Sequence, residues 1–129
     1  MTETRVMKSS DLALRMARLA QIERELARAE DALREGNDGM VRVCARRAVG
    51  LAAEAWLERV PGKSWRGDAL NHLRRISADE SFPQDIRGAA ERLMTKVTQR
   101  ATAPFSTDPI ADARRIIAHL DARTDGGGA

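Results

Sequence analysis

Two histidines, His72 and His119, one cysteine, Cys44, and several clustered arginines are the residues of this 129-residue chain whose types could carry chemistry. A protein metal site needs three or four ligands at a recognisable spacing, and two distant histidines with a single cysteine supply no such spacing. Gly62-Lys63-Ser64 has the ending of a phosphate-cradling loop, but Leu57 stands where that loop requires its first glycine, and the preceding segment reads as a helix. A helix-exit turn is the expectation there. No G-x-S-x-G turn presents a serine to a histidine, so nucleophilic catalysis is not expected either. His72, one position before Leu73 and close to Arg74 and Arg75, is expected on an exposed helix surface. No metal and no cofactor is expected.

The arginines offer a different chemistry. Arg42 and Arg46 share a helix face, Arg47 follows them, and Arg74 and Arg75 lie within one turn of His72. Such a set can contact phosphates. A solvated or ion-paired helix face accounts for the same residues and is favoured, because no aromatic platform accompanies them for stacking on single-stranded bases. Net charge is only +3, with 22 basic against 19 acidic residues. That excess permits attraction to nucleic acid without requiring it.

These residues must be positioned by helices. Leu12, Met16, Leu19, Ile22, Leu26, Ala29 and Leu33 recur at spacings of three and four, one apolar stripe over about six turns. Ser10 can cap its start, and Gly36 suits its end. A second helix, capped by Asn37 or Asp38, runs to about Val60 and stops at Pro61-Gly62. Its contact face is mostly small, with Val41, Cys44, Ala45, Ala48, Ala52 and Ala55, widened by Val49, Leu51, Trp56 and Leu57. Small side chains let helix axes approach closely, so this helix is expected at the centre of the bundle. A shorter helix turns Leu70, Leu73 and Ile76 inward. The next starts at Ser81-Phe82-Pro83 and carries Ile86, Ala89, Ala90, Leu93, Met94 and Val97. A last helix, capped by Thr107 or Asp108, carries Ile110, Ala113, Ile116, Ile117 and Leu120. No segment has strand periodicity. The fold class is all-α, an up-and-down antiparallel bundle of four to five helices. The expected boundaries are a flexible lead-in over 1–8, one domain over 9–123 and a disordered Gly-rich tail over 124–129. One cysteine excludes an intramolecular disulfide, no apolar run reaches the length of a membrane span, and a cytoplasmic location is expected.

The segment from Ile22 to Leu57, IERELARAEDALREGNDGMVRVCARRAVGLAAEAWL, resembles the opening helical hairpin of the HEPN family. Ala29-Glu30-x-x-Leu33, Gly36, the Ala45, Ala48, Ala52 and Ala53 series and Ala55-Trp56-Leu57 carry the likeness. His72-Leu73, the IRGAAERLMTKV helix and DPIADARRIIAHL follow in a HEPN-like order, so the likeness spans roughly residues 10–122. The resemblance implies a bundle that forms a homodimer and works as a binding module, paired with a nucleotidyltransferase and taking a nucleotide or RNA. In its nuclease branch, an Arg-x4–6-His motif forms a composite site across the dimer, and Arg114 and His119 fit that spacing. There the histidine would move a proton and the arginine would stabilise phosphorane charge, in a metal-independent RNase that can act as the toxin of a toxin–antitoxin pair. Arg115 directly after Arg114, and the lack of a Tyr after His119, place the chain nearer the non-nuclease branch. On an ideal helix Arg114 and His119 are about 140° out of register, so one subunit would not present them together. A scaffold bundle without ligand is the remaining alternative.

Overall fold

The computed structural model describes residues 9–60, 62–95 and 105–123, which form five α-helices with no strand among them. They are α1 (Ser9–Arg34), α2 (Asp38–Arg59), α3 (Ala69–Ala78), α4 (Gln84–Met94) and α5 (Pro109–Ala122). Gly36 turns the chain between α1 and α2 with φ +73°, a conformation that costs glycine nothing and any other residue strain. Three of the helix starts are set by short polar side chains. Asn37 accepts from the Met40 amide, Asp68 from Asn71 and Asp108 from Ala111, each satisfying a first-turn donor that the helix cannot. Pro109 occupies the first turn of α5, where a missing N–H is harmless. Ser10, expected as a cap, lies inside α1, which already includes Ser9.

The alanine-rich α2 is central and packs against all four other helices. Its buried face includes Ala45, Ala48, Val49, Ala52, Ala53 and Trp56. At Gly50 an added Cβ would lie 3.0 Å from the Ala69 Cβ, so the start of α3 comes that close only because the side chain is missing. Leu73 and Ile76 of α3, Ile86, Ala89, Ala90 and Leu93 of α4, and Ala113, Ile116 and Leu120 of α5 complete the main core. A smaller cluster of Ala29, Ala32, Val41, Cys44 and Ile110 closes the hairpin end. Val97, expected on the α4 stripe, lies outside the described residues, as do 1–8 and 124–129.

The α1 stripe departs from expectation. Ile22, Leu26 and Ala29 are buried, but Leu12, Met16 and Leu19 are 49%, 61% and 47% exposed, and Leu33 is exposed as well. Leu12 and Met16 lie on the side of α1 away from the other helices, which Asp11, Leu14, Arg15 and Arg18 face. Arg18 already pairs with Glu58 in the last turn of α2, so the turns before it run past the end of their main partner.

Candidate functional site

The overrun leaves a groove of about 830 Å³ between the first half of α1 and the ends of α2 and α5. Leu14, Leu19, Ile22, Leu57 and Val60 give it an apolar lining, while Arg15, Arg18 and Lys63 alternate with Asp11, Glu58 and Asp121 along its edges. A smaller hollow of about 370 Å³ continues past Leu19 and Ile22 to Ile117 and Arg114. Two ion pairs tie α1 to the rest here, Arg15 to Asp121 at 3.7 Å and Arg18 to Glu58. Both are at least partly solvated, and exposed pairs of this kind contribute little stability. Arg59 donates to the Leu120 carbonyl at 3.1 Å and joins the C-terminal ends of α2 and α5. An apolar trough edged by charge and held open by weak ties is suited to receiving another apolar surface.

The candidate phosphate-contacting arginines lie in different settings. Arg42, expected on the surface, is buried to 9% exposure; its Nε donates to Asp38 at 3.0 Å and its guanidinium lies 5.7 Å from the centre of the Phe105 ring. One of its terminal nitrogens is buried without a hydrogen-bond partner. Arg46, one turn on, donates from Nε to the Leu93 carbonyl at 2.7 Å, at the end of α4. Burial, and then the Arg42 charge, disfavour its protonated form, which marks the two guanidiniums as electrostatic neighbours. Arg47 is exposed. Arg74 and Arg75 are exposed on α3, where Arg74 donates to Asn71 at 3.0 Å.

His72 is not on the surface. It is 2% exposed, with Nδ1 unpartnered, and burial lowers its pKa although Glu54 and Asp68 work in the opposite direction. Its position on the flank of the α3 stripe, next to Leu73, turns it under the helix rather than outward.

Arg114 and His119 face different surroundings. Arg114 is exposed and lines the hollow beside α1. His119 is half-buried against Phe82, ring centres 5.6 Å apart, with Nε2 buried and unpartnered. Burial and then the charge of Arg123 push its pKa down, against Asp85. Its environment favours a neutral imidazole. The two residues do not converge on one point within a chain.

Two arrangements escape sequence reading. Arg92 reaches Asp112 through two nitrogens, at 3.0 and 3.3 Å, while the buried Ser106 hydroxyl donates to the same carboxylate at 2.6 Å and the Ser106 amide donates to the Arg92 carbonyl. This network ties α4 to the start of α5. Arg115, three positions on in the same helix, stands 4.0 Å from this carboxylate. At the opposite end of α5, Trp56, Trp65 and Phe82 gather with centroids 5.4–6.2 Å apart. The Arg123 guanidinium lies 4.3 Å from the Phe82 centroid and 5.3 Å from that of Trp56, a cation over aromatic faces. Lys63 stands 5.5 Å from the Trp65 ring and 3.2 Å from Asp79, so Gly62-Lys63-Ser64 is engaged in closing the helix exit. The one available hint was the Trp in a connector, since so large an apolar surface is rarely left in water.

Among the described residues no group of three His, Cys, Asp or Glu side chains could hold a metal ion, and no helix is long and apolar enough to cross a membrane. Comparison with protein-family models, curated proteins and solved structures finds no match to the chain.

Proposed function

We propose that this chain is a HEPN-like helical interaction module whose groove between α1, α2 and α5 receives a nucleotidyltransferase partner. The observation that supports this most directly is Leu14 at 52% exposure and Leu19 at 47%, over a groove floor of half-buried Leu57 and buried Val60. Neighbouring exposed leucines over an apolar floor mark an association site more often than an accident of folding. The nucleotidyltransferase comes from the HEPN resemblance alone.

Co-expression with a small nucleotidyltransferase from the same genome, followed by size-exclusion chromatography, tests the reading. Co-elution is expected, and Leu14→Glu should abolish it while leaving the helical circular dichroism unchanged. Separate elution of the folded wild-type chain overturns the proposal.

A second reading, nucleotide or RNA binding, is favoured by Arg42 and Arg46, neighbouring guanidiniums for which Asp38 is the one carboxylate in contact among the described residues. Phosphate oxygens would balance that excess. Fluorescence anisotropy with a short labelled RNA should show binding at low salt that weakens as salt rises. No binding at low salt removes this reading and leaves the groove proposal standing.

A further inference from the structure

Both tryptophans of the chain stand in one aromatic cluster with Phe82, beneath the end of α5. Trp56 and Phe82 are buried and Trp65 is half-buried. Two side chains of the α5 end lie on Phe82. They are His119 and Arg123, four positions apart and so on one face of the helix. The His119 ring centre is 5.6 Å from that of Phe82, and the Arg123 guanidinium 4.3 Å from it. Arg123 also lies over Trp56 and donates to the Ser81 hydroxyl, beside Phe82, at 3.4 Å. A cation resting on an aromatic ring is held by electrostatic attraction, which a second cation on the same ring opposes.

His119 is the group that can become that second cation. An imidazolium donates from both nitrogens, and the buried Nε2 has no hydrogen-bond partner among the described residues. Arg123, at the end of the same helix, disfavours the protonated ring, while Asp85, in the first turn of α4, favours it and is the weaker influence. The other nearby charges are engaged elsewhere. Lys63 and Asp79, from the two connections beside the cluster, pair with each other at 3.2 Å, and Asp121 pairs with Arg15 of α1 at 3.7 Å. Helix C-termini ordinarily draw a cation to their carbonyls. Here Arg59 of α2 already donates to the Leu120 carbonyl at 3.1 Å.

We propose that the end of α5 is an acid-released latch over the aromatic cluster, shut while His119 is neutral and opened when it is protonated. In the shut state Arg123 rests on Phe82 and Trp56, and its amide donates to the His119 carbonyl at 3.2 Å. Protonation places two cations on one ring, four residues apart in a helix, where like charges oppose the turn that holds them. The residues beyond Leu120 then unwind, Arg123 leaves the rings, and the cluster meets water. Ala113, Ile116 and Leu120 remain in the core, so the bundle stands. The latch is independent of what the groove receives, although Asp121 of the same turn lines that groove.

Tryptophan emission of the full chain tests this, since there is no Tyr and both tryptophans belong to the cluster. At room temperature the emission maximum should hold from pH 8 to 7 and move to longer wavelength as pH falls below 6.5, with the helical circular dichroism nearly unchanged. The hydrogen-exchange protection factor of the Arg123 amide should fall over the same range, by at most about tenfold per pH unit, the limit for one proton. Amides at 45–53, in the middle of α2, should keep theirs. His119→Gln cannot take the proton and should abolish both changes, whereas His72→Gln should leave them. Arg123→Met, which keeps an apolar chain over the rings and loses the charge, should weaken the shift and raise the His119 pKa, and it decides the matter if His119→Gln does not fold. An emission maximum indifferent to pH, a shift that persists in His119→Gln or at full size in Arg123→Met, or one that appears only as the helical signal is lost each overturns the proposal.

Discussion

His72 and His119 place imidazoles in surroundings that disfavour charge, and the consequence appears as pH dependence. Both have folded pKa values lowered from 6.5, first by burial. Above that value both the folded and the unfolded chain hold neutral imidazole and nothing changes with pH. As pH falls below it the unfolded chain takes up protons that the folded chain resists, so stability declines. The melting temperature should therefore hold from pH 8 to 7 and fall between pH 6.5 and 5, and NMR titration should give both histidines pKa values under 6.5. His119→Ala should remove part of the decline without altering RNA integrity in a cleavage assay. At Asp112 the partners decide the outcome. Asp112→Ala leaves the buried Ser106 hydroxyl and the half-buried Arg92 without their acceptor, and should cost roughly 2–3 kcal/mol in urea denaturation. Asp112→Asn, which keeps the shape and loses the charge, should cost less.

The helices differ in how fully they are held. In α1 the turns from Ile22 onward bury Ile22, Leu26, Ala29 and Ala32, whereas those before it rest on two ion pairs. Local opening follows burial, so hydrogen exchange of amides at 13–19 should be much faster than at 26–33 in the monomer. Equal protection along the helix would contradict this account. Asn37→Ala should cost about 1 kcal/mol, the usual value of an N-cap, read as a shift in the urea midpoint. The same unevenness shows what was legible in the sequence. The stripes of α2 to α5 and the caps at Asn37 and Asp108 follow from spacing and side-chain chemistry, because both act within a few residues. The apolar stripe of α1 is equally clear, but its first half finds no cover, because which side of α1 the other helices take is set by tertiary packing. Burial of His72 and the Arg92–Asp112–Ser106 network were hidden for the same reason: each depends on which helix lies alongside.

At the scale of the whole molecule, α2 is the post on which the others are hung, and its small residues set how closely they come. Gly50 is the tightest of these approaches, so Gly50→Val should force α3 outward and destabilise the fold by about 1–3 kcal/mol, as overpacking of a filled interior does. Trp56→Ala, which empties the centre of the aromatic cluster, should cost about 3–5 kcal/mol. Chemical denaturation measures both. The candidate sites lie at the margins of this frame, the groove at one end of α1 and the arginine corner where α4 ends. Residue types alone could name those arginines but not sort them. That Arg42 is drawn under Phe105 while Arg47 stays in water depends on a contact across more than fifty positions of chain.

Cys44 belongs to the small cluster where α1 meets α2, and it is the chain's one cysteine. Burial, and then the nearby Glu25 carboxylate, raise its pKa, so little thiolate forms and a reagent cannot reach it while the hairpin is shut. Alkylation must wait for those two rods to part. The molecule therefore carries its own clock: the pace at which iodoacetamide consumes this sulfur counts openings of the hairpin, and anything that clamps the rods together will slow it.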